Sequence, residues 1–197
     1  MYRATRVAHD GLRRPIAGNP MSDEQYGSTP EGAGYGLLGG RLFREPAPGL
    51  PPQVVLGHVL VLLRRYAEAV GGGRAPLEID AHLDAANTPV PDVSFVRADN
   101  PRRLDRRGIH GCAPDLGVEV LSPRAAARDR GAKAELYAGH GCREYWLGDP
   151  DAPRLEMRRA VAPGRVDTMG VLSVGEALES AGLPGLRVDV GEVFAGA

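Results

Sequence analysis

Three side chains in this sequence combine a reactive type with an unusual setting. Asp92 opens an apolar run directly after Pro91, in PDVSFV. Glu119 stands between Val118 and Val120 in PDLGVEVLS (114–122). Carboxylates are depleted in strands, and one flanked by valines is at least half buried, so it needs a cation, a metal or several donors. The third is Lys133: of 24 basic residues it is the single lysine, in RDRGAKAEL. An ammonium is a compact point charge that can steady a metal-bound hydroxide or a developing phosphorane charge, whereas a guanidinium is larger and planar. If the strands of Asp92 and Glu119 are neighbours, their carboxylates converge and repel unless a positive charge lies between them. Mg²⁺ or Mn²⁺ suits that place, being held by hard oxygens and keeping several waters. Two other pairings compete at this point. Glu119 can bond an arginine of the 102–107 loop, and Lys133 can pair with Asp129, one helical turn earlier.

The elements that would carry these residues can be read from period and punctuation. YGLLGGRLFRE (35–45) is a hairpin turning at Gly39-Gly40, since paired glycines tolerate the positive φ of a tight turn. From Gln53 to Val70, apolar residues recur at steps of three and four, a helix stopped by GGGR. Strands follow at 75–83, 92–97 and 114–122, with an arginine-rich loop between the last two. In the third, alternation sets Asp115, Gly117 and Glu119 on one face and Leu116, Val118 and Val120 on the other. A second helix spans roughly Ala125–Ala138, with Ser122 before it as a cap. A strand at 143–149, a polar-edged hairpin and a strand leading into a short helix complete the chain. Residues 1–33 have no periodicity and read as loosely held; 34–197 read as one α/β domain, a mixed central sheet flanked by helices. Tyr145 and Trp146 read as core, and His110 as a loop residue.

Composition narrows the function less than the motifs do. The net charge of −1 argues against a large nucleic-acid footprint but allows a local one. The two cysteines, Cys112 and Cys142, have no metal-ligand spacing and fit a reduced compartment. No apolar run reaches the length of a membrane span. The expectation is a cytoplasmic protein without a membrane segment.

Taken in order, PDVSFV, APDLGVEVLSPR and RDRGAKAELYAGHGCREYWLGDP resemble the Uma-two family, restriction-endonuclease-like proteins of the PD-(D/E)xK nuclease superfamily. The resemblance covers about residues 35–194 and is most specific over 91–150. It implies an αβββαβ core and a Mg²⁺-dependent (or Mn²⁺-dependent) site that cleaves DNA phosphodiester bonds. On that reading Asp92, Glu119 and the Val120 backbone carbonyl hold the metal. The superfamily's lysine usually follows two places after the second acid, where this chain has Leu121; the resemblance moves that role to Lys133 on the next helix. Arg102, Arg103, Arg106 and Arg107 become a lip over the phosphate backbone, and a homodimer would address two strands. Two departures bear on activity. Gly36 stands where the family's first hairpin carries a glutamate, and Pro52-Gln53 replaces a His-Gln pair. They keep a second reading open: a catalytically inactive interaction or regulatory module on the same fold.

Overall fold

The computed structural model describes residues 20–29, 34–44, 48–100 and 104–197. Its centre is a five-stranded sheet in the order β4 (Val93–Phe95), β6 (Leu116–Val120), β7 (Glu144–Asp149), β8 (Arg154–Ala162), β9 (Arg165–Ser173). Only β6 and β7 run parallel; the other neighbours are antiparallel, so the sheet is mixed as expected. A parallel pair needs a long crossover. The helical stretch 126–139 supplies it.

The alternation read on β6 is the one observed. Leu116, Val118 and Val120 join Trp146 of β7 in one core, covered by α2 (Leu50–Ala69) and α5 (Val190–Phe194). Glu119 points to the other side, where Tyr145 and Leu147 of β7 pack with Ala134 and Tyr137 of α4 (Ala134–Gly139). Tyr145 and Trp146 are therefore core residues. Helix α2 forms because Pro51 and Pro52 sit in its first turn, where a missing N–H costs nothing, and Val55, Val59 and Leu63 make one buried stripe. Hiding a residue such as Leu63 completely is worth about 1.5–3 kcal/mol.

The glycine turn joins β1 (Tyr35–Leu38) to β2 (Arg41–Arg44), with φ of 56° at Gly39 and 72° at Gly40. A Cβ at Gly40 would stand 2.9 Å from the Pro20 Cβ, because residues before the hairpin lie against it. Of the segment read as loosely held, residues 20–29 pack against this hairpin. Helix α1 (Asp23–Tyr26) starts with a reciprocal capping box between Ser22 and Gln25. Tyr26 is buried with Leu37 and Leu42, and its hydroxyl lies 2.8 Å from the Tyr35 carbonyl and 2.9 Å from Asp80 Oδ1. Residues 1–19 and 30–33 lie outside the described residues.

Two expected elements are interrupted. The strand read over 75–83 is only β3 (Ala81–His82) plus isolated bridges from Arg74 to Val96 and from Leu77 to Val93. Glu78, at φ 44°, turns the chain out of strand geometry between them. β3 then pairs in parallel with β5 (Ile109–His110). The second helix is α3 (Ala126–Arg128), a π-helical turn (Asp129–Lys133) and α4. β10 (Ala177–Glu179), β11 (Arg187–Asp189) and α5 end the chain as a strand pair leading into a short helix.

Candidate active site

The three side chains singled out above come together at one end of β4 and β6. Lys133 and Glu119 are 1% and 2% exposed, and the Lys133 ammonium lies 3.1 Å from each Glu119 oxygen. It also donates to the Val90 carbonyl at 3.1 Å. Val90 precedes Pro91, which favours extended backbone there. Asp129 Oδ1 is 3.8 Å from the same ammonium. Asp92 accepts the Val120 N–H at 2.7 Å, tying the start of β4 to the end of β6. Of the pairings open from spacing, Glu119 has Lys133 as a partner, and Lys133 serves both Glu119 and Asp129.

Asp92, Glu119, Val120 and Asp129 line a cleft of about 1350 Å³. Arg106 and Arg107 line it too and are exposed. Arg102 and Arg103 lie outside the described residues. More of the lining comes from residues to which the sequence reading gave no catalytic part, His110 among them, which sits in β5 rather than in a loop. His82 and His110 stack with ring centroids 4.8 Å apart and planes within 3°. His82 Nδ1 is 2.7 Å from Asp23 Oδ1, and His110 Nε2 is 3.0 Å from Asp105 Oδ1. The Arg107 N–H, then His110, holds the Asp105 carboxyl below its usual range. Arg44 and Arg124 add two more cations to the wall. The Ser-x-x-Gln capping signature was the available sign that residues near Asp23 are structured; nothing local marks the His82–His110 neighbourship.

Behind the site, the Tyr145 hydroxyl donates to the Asp129 carbonyl at 3.1 Å. Burial first, then the nearby Glu119, Tyr137 and Asp129, pushes this phenol well above its ordinary value, so it stays a donor.

Among the described residues no group of three or more His, Cys, Asp or Glu side chains is gathered for metal binding. A cation here would meet two carboxylates, Asp92 and Glu119, and the main chain at Val120. That set is hard oxygen throughout. It fits Mg²⁺ or Mn²⁺, which complete an octahedron with water, and does not suit a soft metal.

The fold and this arrangement define a restriction-endonuclease-like α/β domain. The Uma2 family model, described as "Putative restriction endonuclease", matches residues 23–191, and the chain belongs to that family. Among solved structures it is similar to one described as a "putative nuclease belonging to DUF820" from Anabaena variabilis ATCC 29413. The two share 19% sequence identity with a TM-score of 0.73, covering 89% of this chain and 98% of the other. No curated protein matches the chain. Among the described residues no helix is long and apolar enough to cross a membrane.

Proposed function

We propose that this protein is a divalent-metal-dependent endonuclease that hydrolyses DNA phosphodiester bonds. The observation that carries the reading is the buried Lys133 ammonium held 3.1 Å from both oxygens of Glu119, on a cleft that Glu119 shares with Asp92. Family membership supports the reaction class. Asp92, Glu119 and the Val120 carbonyl would hold Mg²⁺ or Mn²⁺. When bound, the metal supplies a water of lowered pKa and neutralises charge on the scissile phosphate. Lys133 would direct its ammonium toward the attacking water or toward the charge growing on phosphorus. Arg106 and Arg107 would grip the backbone beside that phosphate. A two-fold homodimer would set one such site on each strand of a duplex.

Purified protein incubated with supercoiled plasmid and Mg²⁺ or Mn²⁺ is the direct test, beside Asp92→Ala and Lys133→Ala. Nicking that is chelator-sensitive and falls at least about 100-fold in both variants is the expected result. Equal cleavage by all three proteins ends the mechanism. A second reading is favoured by Gly36, which leaves β1 without a carboxylate opposite Phe43: the fold would then serve as a catalytically silent interaction module. Absence of both cleavage and Mn²⁺ binding in the intact protein selects it.

A further inference from the structure

We infer that Asp129 is a positioning residue: it is the second counter-ion of Lys133 and holds the ammonium when Glu119 is engaged by a cation. The inference rests on the metal-binding reading above and adds a residue that reading does not use.

Lys133 donates to the Val90 carbonyl and to both oxygens of Glu119, the residue that a metal would also use. With the ammonium 3.1 Å from both Glu119 oxygens, a cation arriving at Glu119 meets a like charge a few ångströms away. A nearby anion that does not itself join the cation's ligands resolves this conflict. Asp129 Oδ1 stands 3.8 Å from Nζ, near enough to take the ammonium by a small side-chain shift. This is not an ordinary exposed helix pair, whose worth is small. Asp129 and Lys133 are 2% and 1% exposed.

The local fold holds Asp129 in that position. The segment Asp129–Lys133 is a π-helical turn, a rare feature that inserts one residue into a helix and turns side chains off their α-helical directions. Both of its titratable ends face inward. The Tyr145 hydroxyl pins the Asp129 carbonyl at 3.1 Å, and Arg128 Nε donates to Asp129 Oδ1 at 3.3 Å. Asp129 also lines the cleft with Asp92 and Glu119.

The test reads Mn²⁺ affinity by isothermal titration calorimetry and metal-free thermal melting. It uses wild type, Asp129→Asn, Asp129→Glu, Lys133→Gln and the double variant Asp129→Asn/Lys133→Gln. Asn preserves shape and removes the charge; Gln at 133 still donates to Glu119 but carries no charge. Asp129→Asn should weaken Mn²⁺ binding about 10–100-fold, the range for residues that orient ligands. Asp129→Glu should recover most of it. In the Lys133→Gln background, Asp129→Asn should leave affinity within about twofold, because no ammonium remains to be received. Equal weakening in both backgrounds would make Asp129 a direct ligand and overturn the inference. So would an unchanged affinity in Asp129→Asn, whatever its melting temperature. A wild type that binds no Mn²⁺ defeats the metal-binding reading as well, so the two failures are told apart.

Discussion

Glu119 and Glu144 lie on neighbouring strands, at 2% and 1% exposure, and the protein treats them in opposite ways. Glu144, at the start of β7, is enclosed by neutral donors. Trp146 Nε1 reaches it at 2.6 Å, Ser180 Oγ at 3.1 Å and the Gly182 N–H at 2.7 Å. Gly182 permits that approach: a Cβ there would stand 3.2 Å from the Glu144 carboxylate. The arrangement fastens the C-terminal segment to the sheet, and Glu144 does not line the cleft on which Glu119 opens. Glu119, near the end of β6, meets a full positive charge and opens on a cleft lined by further carboxylates and arginines. Burial alone does not mark a working carboxylate. What separates the two is the charge of the partner and the route to solvent.

The largest effect should come from splitting the charged pair. Lys133→Met leaves Glu119 buried without its ammonium and should cost about 3–5 kcal/mol of stability. Glu119→Met/Lys133→Met should regain most of that loss, since apolar groups can replace a buried ion pair at little cost. Urea melts of the wild type, both single variants and the double variant measure the coupling. A double variant no more stable than Lys133→Met would mean that the pair is not the unit described here.

Glu144 should behave otherwise. Glu144→Gln keeps the volume but turns an amide toward groups that themselves donate, at a cost of about 1–3 kcal/mol. Metal affinity and cleavage per folded molecule should stay at the wild-type level. Loss of Mn²⁺ binding in Glu144→Gln at full folding would erase the distinction between the two sides of the sheet.

Much of this contrast is legible in the sequence, and the reasons are local. Period two across LGVEV places Glu119 opposite the valines whatever else the chain does. Pro91 before Asp92 and the single lysine on the crossover helix are likewise visible residue by residue. The π-helical turn is not, because one inserted residue leaves no composition signal in DRGAK. Glu78 takes a positive φ with no glycine to announce it, so the 75–83 segment reads as one strand. The far wall of the cleft needs His82 beside His110 and Asp23 beside His82, contacts between segments remote in sequence. A solved structure that shares only 19% of its residues has a similar fold, as expected where period and burial rather than particular side chains specify it.

The smallest predicted effect probes how tightly the core behind Glu119 is sealed, where Cys142 packs with Tyr137, Tyr145 and Leu147. Cys142 lies two residues before Glu144 and donates its Sγ–H to the Glu144 carbonyl at 3.0 Å. Burial pushes its thiol up to about 12, from an ordinary 9.0. The sign follows from which state keeps the proton. Above pH 9 the unfolded chain loses it while the folded protein retains it to about 12. The stabilising contribution is therefore complete below pH 9 and declines as pH rises toward 12. Native protein at pH 8.5 should resist iodoacetamide at Cys142, and denaturant should expose the thiol, as followed by mass spectrometry of the 142-containing peptide. Stability measured from pH 8 to pH 10.5 should fall less steeply in Cys142→Ala than in wild type. Alkylation of native Cys142 at the rate of a free thiol would mean that solvent enters the core that backs Glu119, and the cleft would then not be its one route to water.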